Sequence, residues 1–188
     1  MIEACIQKLV LFIYRMDPKA LCWCAVFGVL IFCALYRKYS DSHWLRPVIG
    51  LVLAAWFGAV IWMTVLSRTP GGTYEVHWIP LHTYRAYFSD PHSEILRSCF
   101  MNVALFYPAG LLFGSLLSKK WSFPRGMLWS VLVFGLFSLS IELCQYRFGL
   151  GITEIDDVLH NTLGAALGFA AARLDLGGIA DILTEKYP

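Results

Sequence analysis

The chain contains several apolar stretches that are long enough to cross a lipid bilayer, and these limit its fold more than any other feature. The clearest of them, 47–66, contains no charged residue. A helix of about 20 apolar residues covers the roughly 30 Å of bilayer hydrocarbon. Only 15% of all residues are charged and 58% are hydrophobic, whereas a soluble domain carries about 25% charged residues. We therefore predict an integral membrane protein and exclude a disordered protein or an ordinary cytosolic enzyme.

These stretches predict an all-α membrane protein, a polytopic bundle of about five transmembrane helices forming one domain over 1–188. Apolar residues at helical spacing also mark 1–16, but this segment is too short to span, so we expect an interfacial amphipathic helix. The polar stretch 67–97 holds three prolines and two glycines, which predict turns in a long loop. The predicted spans are 20–36, 47–66, 98–117, 126–145 and 157–172.

Basic residues are concentrated in two short loops, 37–46 and 118–125. Short loops rich in lysine and arginine stay in the cytoplasm. We therefore expect a multi-pass protein of the plasma membrane with both loops in the cytoplasm and the 67–97 loop outside. The net charge of +2 is too small to indicate a nucleic-acid partner, so membrane lipids are the expected surroundings.

Neither the cysteines nor the histidines match a metal-binding pattern. The six cysteines lie in or beside apolar segments, and we interpret them as small apolar membrane residues. The 67–97 loop holds three histidines with Glu75 nearby, but their spacing fits no known site. We assign no metal ligand, and a divalent cation stays a weak alternative. The three histidines are His77, His82 and His92.

Polar residues inside the spans indicate a site, because a polar group in lipid is costly without a function or a partner. Asn102 lies one turn into the third span, Glu142 one turn before the end of the fourth, and Asn161 one turn into the fifth. All three are therefore expected roughly 6 Å below the outer surface. Asp157 shares a helix face with Asn161, and Arg68 can reach the same layer. The sequence predicts a polar pocket that opens outward.

Two main classes of function fit this pocket. In an enzyme, Glu142 or Asp157 would act as a general acid or base. In a binding protein, the same cluster would recognise a headgroup or an antibiotic without turnover. A transporter fits less well, since the sequence has no internal inverted repeat. The candidate binding residues are Arg68, Asn102, Gln145, Asn161, Arg85 and Arg97, with His160 and Asp156 as supporting residues.

Structural roles are the alternative for each of these residues. Asn102 could form only an interhelical hydrogen bond. Glu142 could pair with Arg68 or Arg147 to hold the fold together. Asp156 is expected to be more exposed and to cap its own helix. The shared depth favours a site, because separate packing roles would not place these residues at one level.

Small residues predict close helix packing in the second half of the chain. Gly110 and Gly114 are four residues apart, as are Gly164 and Gly168. Such pairs let the backbones of two membrane helices approach each other. Pro108, in the third span, frees a backbone carbonyl and is expected to kink its helix.

The polar motifs together resemble those of the VanZ-like family of bacterial membrane proteins. They read NVALFYPAGLL from Asn102, SLSIELCQ from Ser138 and IDDVLHNTLGAALG from Ile155. Arg68 and the stretch WIPL at 78–81 match an arginine and an N-x-I-P-F-like stretch of the family. The resemblance runs from about residue 65 to 169. Two positions depart from the family pattern, namely Ala109, where a bulky residue is frequent, and His160, where an apolar residue is usual.

The resemblance implies a function in the bacterial cell envelope, because the founding member of the family lowers susceptibility to the glycopeptide teicoplanin. It therefore implies a role in glycopeptide resistance or tolerance, with a lipid-linked cell-wall intermediate or the glycopeptide itself as partner. The family's shared polar residues fall on Arg68, Asn102, Glu142, Gln145, Asp157 and Asn161. The resemblance implies no reaction.

Overall fold

The computed structural model describes residues 44–71, 74–89, 93–117 and 121–173. Five α-helices and one pair of two-residue strands make up this part of the chain, which confirms the all-α class. The predicted interfacial helix and the first predicted span lie outside the described residues. The elements are α1 (Leu45–Ile61), a π-helical turn (Trp62–Leu66), β1 (Val76–His77), α2 (His82–Ser89), α3 (Ser93–Leu116), α4 (Phe123–Phe148), β2 (Thr153–Glu154) and α5 (Ile155–Arg173).

The length and apolar character of the helices identify a membrane protein. Along α5, which covers the fifth predicted span, the side chains of Leu159, Leu163 and Leu167 form an exposed apolar stripe. Apolar stripes of this kind are typical of helices that face lipid. Among the described helices, three are long and apolar enough to cross a membrane: Leu45–Leu66, Arg97–Leu116 and Phe123–Phe148.

The predicted 67–97 loop contains more regular structure than turns alone. It holds β1, α2 and the first residues of α3, which begins at Ser93. Strand β1 pairs in parallel with β2, with Val76 opposite Thr153 and His77 opposite Glu154. This pairing joins the loop to the start of α5, and it places residues far apart in sequence side by side.

Helices α3 and α5 pack backbone against backbone. A methyl group added at Gly110, Gly164 or Gly168 would overlap a backbone carbonyl oxygen of the facing helix. At Gly114 the added carbon would lie 2.8 Å from the Cβ atom of Ala172. The close packing predicted from the two glycine pairs is therefore confirmed.

An aromatic cluster joins α4 to α1 and α3. Phe134 of α4 is fully buried, and its ring centroid lies 5.7 Å from those of Phe57 in α1 and Phe113 in α3. The indole N–H of Trp56 donates to the carbonyl of Leu105, 3.0 Å away, in the turn that precedes Pro108. These contacts hold α1 against α3, beside the α3–α5 pair.

A glycine turn ends α4 and directs the chain towards β2. Gly149 has a left-handed conformation with φ of 59°, which glycine adopts without the strain of a side chain. The N–H of Leu150 then donates to the carbonyl of Gln145 over 2.9 Å. The turn leaves the head of α5 beside the last turns of α4, where the polar residues lie.

Candidate functional site

The buried polar residues collect at one end of the bundle, where α4 ends and α5 begins, and we call this region the polar end. Three helices, the π-helical turn and the strand pair contribute to it. Its members are Thr64, Arg68, Asn102, Ser138, Glu142, Gln145, Glu154, Asp156, Asp157, His160 and Asn161.

Two acidic side chains form the centre of the polar end. The side-chain amide of Asn102 donates to Oδ1 of Asp157 over 2.6 Å, which joins α3 to α5. Oε2 of Glu142, which is only 3% exposed, accepts the backbone N–H of Glu154 over 3.0 Å. The charge of Asp157 acts on Glu142 through space. The structure thus brings together three residues that the sequence places on separate helices.

Two further hydrogen bonds lie beneath and beside this centre. The amide of Asn161 donates to the Ser138 hydroxyl over 2.8 Å, and this bond lies one helical turn deeper than Asp157. The amide of Gln145 donates to the backbone carbonyl of Thr64 over 3.0 Å. Asn161 therefore belongs to a second layer and does not bond to Asn102. Its Oδ1 atom is buried and has no hydrogen-bond partner among the described residues.

Both central carboxyl groups use one oxygen and leave the other available. Within the described part of the chain, Oε1 of Glu142 and Oδ2 of Asp157 make no hydrogen bond or ion pair. Neither oxygen is among the fully buried atoms that lack a partner. Both oxygens are therefore not fully buried, and each can accept a further hydrogen bond.

Arg68 lies beside the acidic centre without touching it. Its Nη1 donates to the carbonyl of Leu150 over 3.1 Å, and its charge acts through space on Glu142 and Asp157. Among the described residues, Glu142 is paired neither with Arg68 nor with Arg147, so the arginine clasp considered as an alternative does not form. The exposed guanidinium of Arg68 keeps donors available for an anion.

Asp156 has a different position from the one expected. It is 2% exposed, and its carboxylate accepts the N–H groups of Leu81 over 2.6 Å and Thr83 over 2.8 Å. The expectation of a more exposed residue that caps its own helix was therefore wrong. Asp156 instead caps the start of α2, because the strand pair brings that helix to the head of α5. Leu81 takes a φ of 64° there, a strained value for leucine.

His160 is buried and bonded to a tyrosine from the loop. Its Nε2 lies 2.8 Å from the hydroxyl of Tyr84. Its Nδ1 is buried and has no partner among the described residues. Burial raises the pKa of Tyr84, so this phenol stays neutral at physiological pH. The pair fixes α2 to α5 beneath Asp156.

The other two arginines named from the sequence lie on the surface. Arg85 lies on α2 and Arg97 on the first turns of α3, and both are exposed. The charge of Arg68, in contrast, acts on Glu142 and Asp157 through space.

A second cluster of ionisable groups lies on the strand pair. Nδ1 of His77 is 2.9 Å from Oε1 of Glu154, and Nε2 of His77 is 3.0 Å from Oε1 of Glu75. The hydrogen bond to Glu154 is the main cause that raises the pKa of His77 above its ordinary value. The ring of His82 lies against that of His77, with centroids 4.1 Å apart. His92 lies outside the described residues.

Several partners at the polar end were not singled out from the sequence. Glu154 and Tyr84 meet their partners through the strand pair and α2, which no periodicity predicts. Ser138 could have been found, because it lies one helical turn before Glu142 on the same face.

The geometry defines a helical membrane protein with a layered polar cluster at one end of its bundle. The family model for VanZ/LLP1 matches residues 48–176, and the chain belongs to this family. Membership supports a VanZ-like envelope protein associated with resistance. No curated protein and no solved structure gives a significant match to the chain.

Proposed function

We propose that the polar end binds the headgroup of a lipid-linked component of the bacterial cell envelope, and that this activity underlies glycopeptide resistance or tolerance. In this proposal the chain crosses the plasma membrane several times with the polar end outside. Loops 37–46 and 118–125 then lie in the cytoplasm, as the positive-inside rule expects.

The observation that carries the proposal is a pair of carboxyl groups beside an arginine, each of which forms a hydrogen bond through only one of its two oxygens. Glu142 and Asp157 are each held by one hydrogen bond, and each keeps an accessible oxygen. A purely structural carboxyl group would be expected to use both oxygens within the protein, as Asp156 does with the N–H groups of Leu81 and Thr83. Two free oxygens on adjacent groups are therefore better explained by a ligand.

The charges of these groups indicate the chemistry of that ligand. Carboxylate oxygens accept hydrogen bonds from sugar hydroxyls or amides, and the planar guanidinium of Arg68 suits a phosphate. A phosphate-linked sugar on a lipid tail offers hydroxyls, amides and a phosphate. Its lipid tail would stay in the bilayer while the headgroup binds. A glycopeptide antibiotic offers the sugar hydroxyls and amides without the phosphate.

Acid–base chemistry on the same headgroup is the second candidate function. It is favoured by one observation, the presence of two carboxyl groups in one cluster, each with an oxygen that makes no hydrogen bond among the described residues. Two carboxyl groups in one site can serve as acid and base. In this case the variants below would stop turnover of a lipid-linked substrate as well as its binding.

The experiment compares Glu142→Gln and Asp157→Asn with the wild-type chain in a teicoplanin tolerance assay, alongside quantitative blotting of membrane fractions. Both substitutions keep size and remove the charge. We expect tolerance to be lost at nearly unchanged abundance. In nanodiscs, binding of a polyprenyl-phosphate-linked sugar should weaken roughly 10- to 100-fold, which corresponds to a hydrogen bond with a charged group.

Asp156→Asn is the matched control, because it makes the same change one residue away in a group whose two oxygens are both used. This variant should lose abundance together with tolerance. Arg68→Gln should weaken binding of the phosphate-bearing lipid more than it weakens binding of the same lipid without its phosphate. Full tolerance in the well-expressed double variant Glu142→Gln/Asp157→Asn would refute the proposed site.

A further inference from the structure

The histidine cluster on the strand pair has the composition and spacing of a metal site. His77 and Glu154 are direct neighbours across the parallel pair β1–β2, and His82 begins α2 five residues further along the chain. One potential ligand atom from each of these three residues lies within 4.8 Å of those of the other two. The fold brings these residues together, since Glu154 is 77 residues away from His77 in the sequence.

The donor set selects a class of metal ion. Two imidazole nitrogens and one carboxylate oxygen suit Zn²⁺ and similar transition-metal ions, whereas Ca²⁺ and Mg²⁺ require more oxygen ligands. Three protein ligands also leave one coordination position for water or for an oxygen of a ligand. Of the common ions, Zn²⁺ therefore fits best.

Glu75 adds a feature found around bound metal ions. It lies 3.0 Å from Nε2 of His77, on the side of the ring opposite to Glu154. A histidine that binds metal through one nitrogen usually donates its other N–H to a carboxylate, which fixes the ring. His77 can thus bind through Nδ1, next to Glu154, while Glu75 orients the ring.

We propose that His77, His82 and Glu154 form a binding site for a divalent transition-metal ion, with Zn²⁺ as the preferred ion and Glu75 as a positioning residue. The site goes beyond the headgroup proposal and does not depend on it. It lies close to the acidic centre, because the backbone N–H of Glu154 donates to Glu142. The proposed metal site therefore borders the acidic centre of the polar end.

The test uses the full-length protein in detergent, purified without a histidine tag, stripped with chelator and then dialysed. Zn²⁺ alone is titrated in competition with a chromophoric chelator, and Co²⁺ is titrated separately to record its visible absorption. We expect one Zn²⁺ per chain and the intense Co²⁺ absorption of a four-coordinate site.

His82→Gln is the most informative variant, because His82 contacts His77 through its ring and its loss should leave the fold intact. It should weaken Zn²⁺ binding at least tenfold and reduce the Co²⁺ absorption.

The remaining variants separate the ligands from the positioning residue. Glu154→Gln should weaken binding as much as His82→Gln and should also reduce the Co²⁺ absorption. Glu75→Gln should weaken binding roughly 10- to 100-fold, the range for groups that support a metal ligand, but should keep the Co²⁺ absorption of a four-coordinate site. His43→Gln, which changes none of the three proposed ligands, should bind as the wild type does. The proposal is refuted if the monodisperse wild-type chain binds no Zn²⁺. It is equally refuted if His82→Gln and Glu154→Gln bind Zn²⁺ as tightly as His43→Gln.

Discussion

The middle of the α3–α5 pair and its polar end are held together in different ways. In the middle, glycines let the two backbones touch, and a Cβ atom added at Gly110, Gly164 or Gly168 would collide with a carbonyl group. At the polar end, the same two helices are joined by side chains such as Asn102 and Asp157. The middle is therefore a fixed contact with no space for a ligand. At the polar end, in contrast, carboxyl oxygens can still accept further hydrogen bonds.

The largest predicted effect tests the fixed contact. Gly164→Ala places a methyl group against the carbonyl of Val103, and the backbone cannot move aside without separating the helices. We expect a loss of about 3 kcal/mol of stability or more, at the upper end for overpacked sites. Thermal unfolding in detergent and membrane abundance measure this loss.

Gly50→Ala is the matched control for that prediction. No described atom lies within 4 Å of a Cβ atom added at Gly50, so the same substitution meets no obstacle. It should leave stability unchanged or raise it by up to about 1 kcal/mol, because alanine is the better helix former. Equal melting temperatures for the two variants would show that the glycine contact is not what fixes the pair.

The difference between the two regions also explains how much the sequence could predict. The glycine contact was predicted from a spacing of four residues, since residues one turn apart on a helix share a face. The meeting of Asn102, Glu142 and the head of α5 was predicted by counting turns from the ends of the spans. Both inferences use only the regular geometry of a helix.

The contacts that sequence reasoning missed depend on the irregular parts of the chain. Asp156 caps α2, and Glu154 meets His77, only because β1 pairs in parallel with β2. Two-residue strands have no periodicity to detect, so neither their pairing nor their register could be predicted. Asn161 was predicted at the level of Asn102, but Asn102 bonds to Asp157, whereas Asn161 bonds to Ser138 one helical turn further into the bundle.

A medium effect is expected at the cap of α2. Asp156→Asn keeps the size of the side chain but replaces one accepting oxygen with an N–H donor that faces a backbone N–H. We expect a loss of about 2 kcal/mol, since a charged hydrogen bond contributes about 1.5–3 kcal/mol. Unfolding in detergent should show this loss for Asp156→Asn and little change for Asp157→Asn. Equal stability of the two variants would contradict the division between a structural and a functional carboxylate.

The smallest effect concerns the strain next to that cap. Leu81 is 54% exposed, so its side chain contributes little to packing, but its φ of 64° disfavours any residue with a Cβ atom. Ile79 is similarly exposed at 58%, and among the described residues Leu81 alone has a positive φ outside glycine. Both positions lie in the same turn, because the N–H of His82 donates to the carbonyl of Ile79.

Glycine substitutions at these two positions measure the strain directly. Each variant gives the unfolded chain the same extra freedom, but only Leu81→Gly relieves a left-handed conformation. We therefore expect Leu81→Gly to be more stable than Ile79→Gly by about 1 kcal/mol, the cost of such a conformation for a residue with a side chain. If Leu81→Gly is the less stable of the two, Asp156 does not hold this turn in a strained state. The turn at Leu81 would then constrain the polar end no more than an ordinary surface turn would.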